Sequence, residues 1–510
     1  MGKVYLSILL CFINTYSSLY AQERATLKGR LLDKETNAAV PFATVKLKNK
    51  RQGVISNAEG DFQLPYRYKL SKDTLVISCI GYKSRIIPLL QLEDDIINII
   101  QLEASIMRLS EVIISPEKGK KLSAYRIVKT ALNHIPTNYL QSSFAYEAYY
   151  RDYQIKDNQY INLNEAIVEV FDSGFHTNDQ NSTRLKLLEY RKNNDFQRDT
   201  TTEIAYDNQQ EKFIPNAVLN SFGGNELAIL RLHDAIRNYK LTTYSFVYKM
   251  INDFIENHRF KLVKPSFLDN TYLYVITLRT KESVAGSNHF AEGKIYIEKN
   301  NFAIHKIDYA VYEKVRSKFK LLYDVQLEYA KKGSSMWLNY ISFNNLFKLK
   351  NPLDFKVVNL EFNKTNLKFT ITFNNQPKSI SVSDKSNYKI RSQNKKMNVK
   401  EVVFNKHTGK RIYVFLEENK EVDFYKASNV LADEIKIKFE NIVDVEGRLL
   451  GVDTFIEAKQ FRELFVQKWN MDMPYVNDSL FVDKTKPLAQ NISVPKKVQS
   501  SYWMNTPLKK

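Results

Sequence analysis

Residues 367–373 read Leu-Lys-Phe-Thr-Ile-Thr-Phe, and this stretch indicates the fold class of the chain. Its apolar residues occupy every second position, which is the period of a β-strand with one buried face. Residues 359–362 precede it across the turn sequence Asn363-Lys364-Thr365-Asn366, so the two segments predict a hairpin. The same alternation returns in residues 306–311 and 324–329. We therefore expect a large antiparallel sheet with one polar, half-solvated face.

The composition of the whole chain agrees with β structure. Of its 510 residues, 44% are hydrophobic and 13% aromatic, with 31 Tyr and 30 Phe but only 15 Gly and 13 Pro. Tyr and Phe favour pleated, half-buried surfaces, and this balance excludes disordered, collagen-like and disulfide-scaffold proteins. The formal net charge is +19. Such an excess fits nucleic acid, an anionic membrane surface, or no specific partner.

The first 22 residues have the layout of a secretory signal peptide. Lys3 supplies a positive start, residues 4–13 are almost entirely apolar, and Ala21 offers a cleavage site. The apolar run is too short to span a bilayer as an anchor. The leucines before Cys11 are too large for a lipidation site. We expect residues 1–22 to be removed from an exported protein, which would not meet nucleic acid.

Residues 25–102 contain short strand segments divided by turns, without a helical period, which favours a small β-sandwich. Four ordered blocks stand out: GRLLD at 29–33, VPFATV at 40–45, SNAEGDF at 56–62 and LVISCIGY at 75–82. They resemble the carboxypeptidase-like regulatory domain, a transthyretin-like (prealbumin-like) sandwich that also heads many TonB-dependent receptors. The resemblance implies a companion fold without peptidase chemistry. Within it, Gly60 is expected at positive φ in a turn, and Cys79 as a buried packing thiol.

Residues 104–143 are predicted to hold a linker strand and a helix. Residues 109–114 resemble the strand that leads into the plug of such receptors, but the rest of the chain is too short for a plug and a receptor barrel. Ser123 is a candidate N-cap, and apolar residues at helical spacing from Ile127 to Ile135 predict a helix that Pro136 closes.

The predicted fold class is mainly β, an N-terminal transthyretin-like sandwich followed by a large antiparallel sheet with a few helices. We assign residues 23–103 to the sandwich, residues 144–376 to the sheet domain, and residues 377–510 to a basic loop and a mixed C-terminal segment. Helices are expected over residues 225–238 and near residues 457–466. Whether the sheet is open, a half-barrel or closed is left undecided by the pattern.

Sequence motifs for zinc, phosphate loops and serine nucleophiles are absent. His289 and Glu292 have the HxxE spacing of zinc carboxypeptidases, with His407 further along, but Glu292 runs into an alternating strand and we expect His289 in a loop. Glu165 and Glu169 are interpreted as the solvated face of a strand rather than an acid–base pair. We therefore expect no metal, no cofactor and no enzymatic activity.

The charge is concentrated in residues 341–400, which hold 12 Lys and Arg but three acidic residues. One reading is a solvated sheet face with a Lys-rich loop. The other is a surface held against anionic head groups or a polyanionic glycan, where each basic residue adds about 1 kcal/mol. The candidate contacts are Lys385, Lys389, Arg391, Lys395 and Lys396.

Together these features predict an exported, non-enzymatic cell-envelope protein that binds or scaffolds at the periplasmic or outer-membrane surface. Its partner would be that anionic surface or another envelope protein. The alternatives are a small outer-membrane β-barrel and a zinc peptidase or other hydrolase.

Overall fold

The computed structural model describes residues 26–50, 53–105, 122–206, 211–215, 224–240, 253–285, 288–316, 318–392, 395–405, 409–417, 435–470 and 480–493. The chain forms two compact units, one from residues up to 347 together with those from 457 onward, and one from residues 348–456. The signal peptide and the 109–114 strand predicted from the sequence lie outside the described residues. Within those residues, no helix has both the length and the apolar character needed to cross a membrane.

The first residues that the structure describes form a β-sandwich, as the sequence predicts. Its strands are β1 (Thr26–Asp33), β2 (Thr44–Leu47), β3 (Gly53–Ile55), β4 (Asp61–Pro65), β5 (Thr74–Ser78), β6 (Arg85–Pro88) and β7 (Ile97–Leu102), with a helical turn α1 (Arg67–Leu70) and a 3-10 turn Leu89–Gln91. One sheet has the order β4-β1-β7 and the other β3-β2-β5-β6. Alternate residues such as Leu31, Val45 and Ile77 fill the core between them. Gly60 has φ of 77°, the left-handed conformation that its turn requires.

A 12-stranded sheet forms the body of the first unit. Its strands are β8 (Phe144–Lys156), β9 (Gln159–Asp172), β10 (Arg184–Lys192), β11 (Lys212–Phe213), β12 (His258–Leu262), β13 (Ser266–Leu268), β14 (Thr271–Thr280), β15 (His289–Glu298), β16 (Ile304–Val315), β17 (Lys318–Lys332), β18 (Ser335–Lys350) and β26 (Phe455–Asn470). The order is β10-β9-β8-β26-β18-β17-β16-β15-β14-β12, with β11 beside β18 and β13 beside β14. β26, the last strand among the described residues, therefore lies in the middle of the sheet.

One face of this sheet packs against helices. The helices described in the first unit beyond the sandwich are α2 (Ala124–Asn133), α3 (Ile135–Asn138), α4 (Asp179–Ser182), α5 (Glu226–Leu232), α6 (Asp253–Asn257) and α7 (Glu282–Ala285). Leu132 of α2 and Leu230 of α5 join strand residues such as Val168 in one buried apolar cluster. The predicted cap is confirmed, because the Ser123 side chain accepts a hydrogen bond from the Arg126 backbone N–H.

The opposite face of the sheet carries the N-terminal sandwich. Phe42 of the sandwich stacks on Tyr340 of β18 with ring centroids 5.7 Å apart. Ile55 enters a buried cluster with Tyr149 and Ile167. The sandwich thus buries part of a sheet face that a period-two pattern would place in water.

The second unit contains two small sheets. Its elements are β19 (Val357–Asn363), β20 (Lys368–Phe373), α8 (Ser379–Ser383), the 3-10 turn Lys385–Asn387, β21 (Tyr388–Ser392), β22 (Lys395–Met397), β23 (Val399–Asn405), β24 (Arg411–Leu416) and β25 (Ile435–Phe439). The orders are β19-β20-β24-β23 and β22-β21-β25. Phe369 and Ile371 point into a core shared with Ile390 and Val414. The predicted β19–β20 hairpin is confirmed, with residue 363 opposite residue 368.

Several predicted elements differ from the structure. The helix expected near residues 457–466 is strand β26, whose side chains alternate between the two buried faces because strands flank it on both sides. Because both faces of β26 are buried, its sequence does not alternate between apolar and polar residues as a half-exposed strand does. The helix expected over residues 225–238 is only α5, followed by turns.

The expected domain boundary at residues 376/377 lies inside the second unit, which begins at residue 348 and ends at residue 456. β26 returns the chain to the large sheet after this insertion. The predicted basic loop after residue 377 contains instead α8, β21 and β22.

Candidate anionic-surface binding face

The basic residues predicted to contact an anionic surface belong largely to the three-stranded sheet β22-β21-β25. Along β21, Tyr388, Ile390 and Ser392 are buried while Lys389 and Arg391 are exposed. This alternation follows from the pleat, since the apolar side chains fill the core of the second unit and their neighbours must then point to solvent.

The strand register brings further cations next to these two. Arg391 lies directly opposite Lys396 on one side and Lys436 on the other. Lys389 lies opposite Lys438. Directly opposed side chains have their Cβ atoms about 5 Å apart on the same face, and like charges in that position repel. We call these five exposed residues, 389, 391, 396, 436 and 438, the basic face.

Acidic residues offset this charge only in part. Glu440 lies 3.7 Å from the Lys389 ammonium and 3.5 Å from that of Lys438. Asp384 accepts hydrogen bonds from the side chain and backbone of Ser386, which lower the pKa of its carboxyl. All the basic side chains are exposed, so each stays available to an external anion.

The structure therefore groups some predicted residues and separates others. Lys389, Arg391 and Lys396 share the basic face, whereas Lys385 is exposed on the preceding 3-10 turn and Lys395 lies opposite the inward-facing Ser392. Lys436 and Lys438 were missed because they come about 40 positions later in the sequence, beyond the dense basic stretch. Their alternation with Ile435, Ile437 and Phe439 was the available signal.

The residues with zinc-ligand spacing, His289 and Glu292, both lie on strand β15. His289 is the first residue of β15 rather than a loop residue, and Glu292 is exposed on the same strand. His407 lies outside the described residues. Across the ranges that the structure describes, no three His, Cys, Asp or Glu side chains form a group able to hold a metal.

The expectation that Glu165 and Glu169 face solvent was wrong. Glu165 is fully buried and Glu169 is 4% exposed. The Glu165 carboxylate accepts hydrogen bonds from the Tyr149 hydroxyl at 3.0 Å and from Arg191. Ile167, between them on β9, contacts the cluster that contains Ile55 of the sandwich, so this part of the sheet face is covered.

Cys79 is a half-buried thiol packed against the core of the sandwich. Burial raises its pKa to about 12. A thiol that stays protonated at neutral pH is a poor nucleophile, which fits a packing role.

The N-terminal sandwich is a regulatory-type β-sandwich, a non-catalytic class of domain. Residues 27–114 match the family described as CarboxypepD_reg-like domain. The chain therefore carries this domain, as the four sequence blocks predict.

Other comparisons add little. No curated protein matches the chain. Among solved structures, a DUF1329 family protein from Desulfovibrio piger is similar over 44% of this chain and 86% of its own, at 8% identity and a TM-score of 0.19.

Proposed function

We propose that this is an exported, non-enzymatic cell-envelope protein whose second unit binds anionic lipid head groups through the basic face, with the regulatory-type sandwich as a structural companion. The observation that carries the proposal is the cross-strand register of β22, β21 and β25. Opposed cations destabilise a sheet in water. An apposed layer of negative charge attracts each of them and offsets their mutual repulsion.

A lipid surface fits this face better than a small anion does. The cations are spread over three adjacent strands and are all exposed, whereas a small-anion site would converge them on one point. Ile380, five residues before Lys385, is 85% exposed. An exposed isoleucine can enter the boundary between head groups and acyl chains.

The proposal is tested by sedimentation of the purified chain with vesicles of phosphatidylglycerol and phosphatidylcholine. We expect binding to the anionic vesicles that salt weakens, and little binding to phosphatidylcholine alone. Reversing all five residues of the basic face to Glu should weaken binding by at least about two orders of magnitude. The matched control reverses five exposed lysines of the first unit, namely Lys28, Lys34, Lys261, Lys264 and Lys314.

Equal loss in both variants would mean that only net charge matters, and would overturn the basic face as a site. If the protein binds dextran sulfate but no vesicles, the basic face would instead be a binding site for a polyanionic glycan. Cell fractionation tests the location separately, because a cytosolic protein would contradict export. In the same fractions, reversing the charges of Lys385, Lys389, Arg391, Lys395 and Lys396 should release the protein from membranes.

A further inference from the structure

The first unit contains a polar cavity that the proposed function does not use. Its volume is about 300 Å³, and it opens between β8, β9 and β10, the start of α5 and the 3-10 turn Leu488–Gln490. Three carboxyl groups line it, those of Asp152 on β8, Glu226 on α5 and Glu203. A cavity of this size and polarity holds roughly ten water molecules at ~30 Å³ each, or one compact polar ligand.

Asp152 is buried at the cavity wall, with 6% of its surface exposed. Its Oδ1 accepts a hydrogen bond from the Asn164 amide at 2.9 Å, and the Tyr150 hydroxyl is a second donor to the carboxyl. Among the described residues Asp152 forms no ion pair. Burial and the nearby Glu226 raise its pKa to about 7. A buried carboxyl with unused acceptor capacity is costly unless something donates to it.

Glu226 has a fixed counter-charge. Its Oε2 accepts from Arg462 Nε at 2.5 Å, and Arg462 is fully buried. The Arg462 guanidinium is also held by Asn345 Oδ1 at 2.6 Å and by the Tyr206 hydroxyl at 3.1 Å. This arrangement holds the Glu226 carboxylate in place at the cavity wall.

A second buried cation balances the charge of the cavity. Lys212 is 1% exposed and donates to the backbone carbonyls of Thr202 at 2.7 Å and Ile204 at 2.9 Å. Burial lowers its pKa to about 8. The third carboxylate, Glu203, is paired with Arg198 and lies 3.7 Å from the Lys192 ammonium. Cations thus accompany all three carboxyl groups, so the cavity favours a neutral ligand over a strongly charged one.

Amide groups supply the rest of the polar lining. Gln154 Nε2 donates to Gln460 Oε1 at 2.9 Å, and Asn162 Nδ2 donates to Gln154 Oε1 at 2.9 Å. These bonds fix the orientation of the amides before any ligand arrives. Tyr190 adds an aromatic ring to the wall. Carboxyl and amide groups beside an aromatic ring suit hydroxyl groups, each of which both donates and accepts.

We propose that this cavity binds one neutral sugar ring, with the carboxyl groups of Asp152 and Glu226 accepting hydrogen bonds from its hydroxyl groups. The inference is independent of the basic face, because the cavity and the face lie in different units.

Titration calorimetry of the full chain with glucose, galactose and N-acetylglucosamine tests the proposal, with glucosamine and glucuronate as charged counterparts of the same ring. We expect at least one neutral sugar to bind, and its charged counterparts to bind at least about tenfold more weakly. Absence of binding by all three neutral sugars, or tighter binding of a charged one, would overturn the proposal.

Variants of two residues that line the cavity test whether the sugar binds there. Asp152→Leu removes the acceptor and should abolish binding, but it changes a buried site. Ala489→Trp therefore provides the second variant, because Ala489 is an exposed lining residue whose enlargement blocks the cavity without disturbing the buried charges. Ala38→Trp, on an exposed loop of the sandwich, is the matched control and should bind normally. Unchanged affinity in Ala489→Trp would place the sugar elsewhere and overturn the assignment.

Discussion

The Arg151 guanidinium donates to the Glu463 carboxylate at 2.5 Å across two strands whose residues are 312 positions apart in the chain. The two residues are directly opposed on β8 and β26, and their side chains are 0% and 4% exposed. The Tyr340 hydroxyl donates to the other carboxylate oxygen at 2.9 Å. A buried ion pair thus joins the N-terminal and C-terminal parts of the large sheet.

Replacing one partner of this pair should be costly. Glu463→Gln removes the carboxylate that the buried Arg151 guanidinium donates to, and we expect the free energy of unfolding to fall by about 3–5 kcal/mol. The double variant Arg151→Met/Glu463→Leu removes both charges and should recover much of that loss. Urea denaturation of the three proteins measures the difference, and equal loss in the single and double variants would contradict it.

His233 should make stability depend on pH. Its ring stacks on Phe343 with centroids 3.5 Å apart and its Nδ1 lies 2.8 Å from the Ile229 carbonyl oxygen. Burial lowers its pKa from 6.5 to about 3. The unfolded chain therefore binds a proton that the folded chain does not, so this stability is present above pH 6.5 and is lost as the pH falls toward 3. Thermal melting of His233→Leu should show a shallower acid-side loss than the parent.

Asp152 should make the stability of the folded chain depend on pH in the opposite sense to His233. Because its folded pKa is raised from 3.8 to about 7, the folded chain retains a proton that the unfolded chain releases. Stability from this group is present below pH 4 and is lost as the pH rises toward 7. Asp152→Asn should remove that decline, which melting curves between pH 4 and pH 7.5 can detect. An unchanged slope would show that Asp152 stays ionised in the folded protein.

Ile55 should contribute to docking of the sandwich on the sheet. It is 3% exposed in the cluster with Tyr149 and Ile167, so Ile55→Ala should lower the free energy of unfolding by about 2–5 kcal/mol. Ile99→Ala is the matched control, since Ile99 on β7 of the same sandwich is 55% exposed and should cost less than about 0.5 kcal/mol. Similar values for the two variants in urea denaturation would refute a docking role.

Arg391 should lower stability while it supports binding. It is flanked by Lys396 and Lys436, so Arg391→Thr should stabilise the second unit by about 0.2–1 kcal/mol, more at low ionic strength. The same variant should bind anionic vesicles more weakly. Lys28→Thr is the control, because Lys28 lies opposite Gln63 and Ile97 rather than other cations. A loss of stability in Arg391→Thr, measured by thermal melting, would contradict the repulsion.

Much of the local structure could be predicted from the sequence. The β19–β20 hairpin, the alternation along β16 and β17 and the Ser123 cap all depend on neighbouring residues. The sandwich, assigned to residues 23–103, was predicted from four ordered sequence blocks and their resemblance to a known family. Three of the predicted basic residues, Lys389, Arg391 and Lys396, do share one face. These features have short periods, so a single segment contains the whole signal.

Only the tertiary structure decided the rest. Three features require the pairing of segments that are distant in the sequence. They are the position of β26 between β8 and β18, the burial of Glu165, and the addition of Lys436 and Lys438 to the basic face. The cavity likewise joins Asp152, Glu226 and Gln460 from three separate parts of the chain. Period-two alternation indicates that a segment is a strand. It does not specify which strand lies beside it or what covers its polar face.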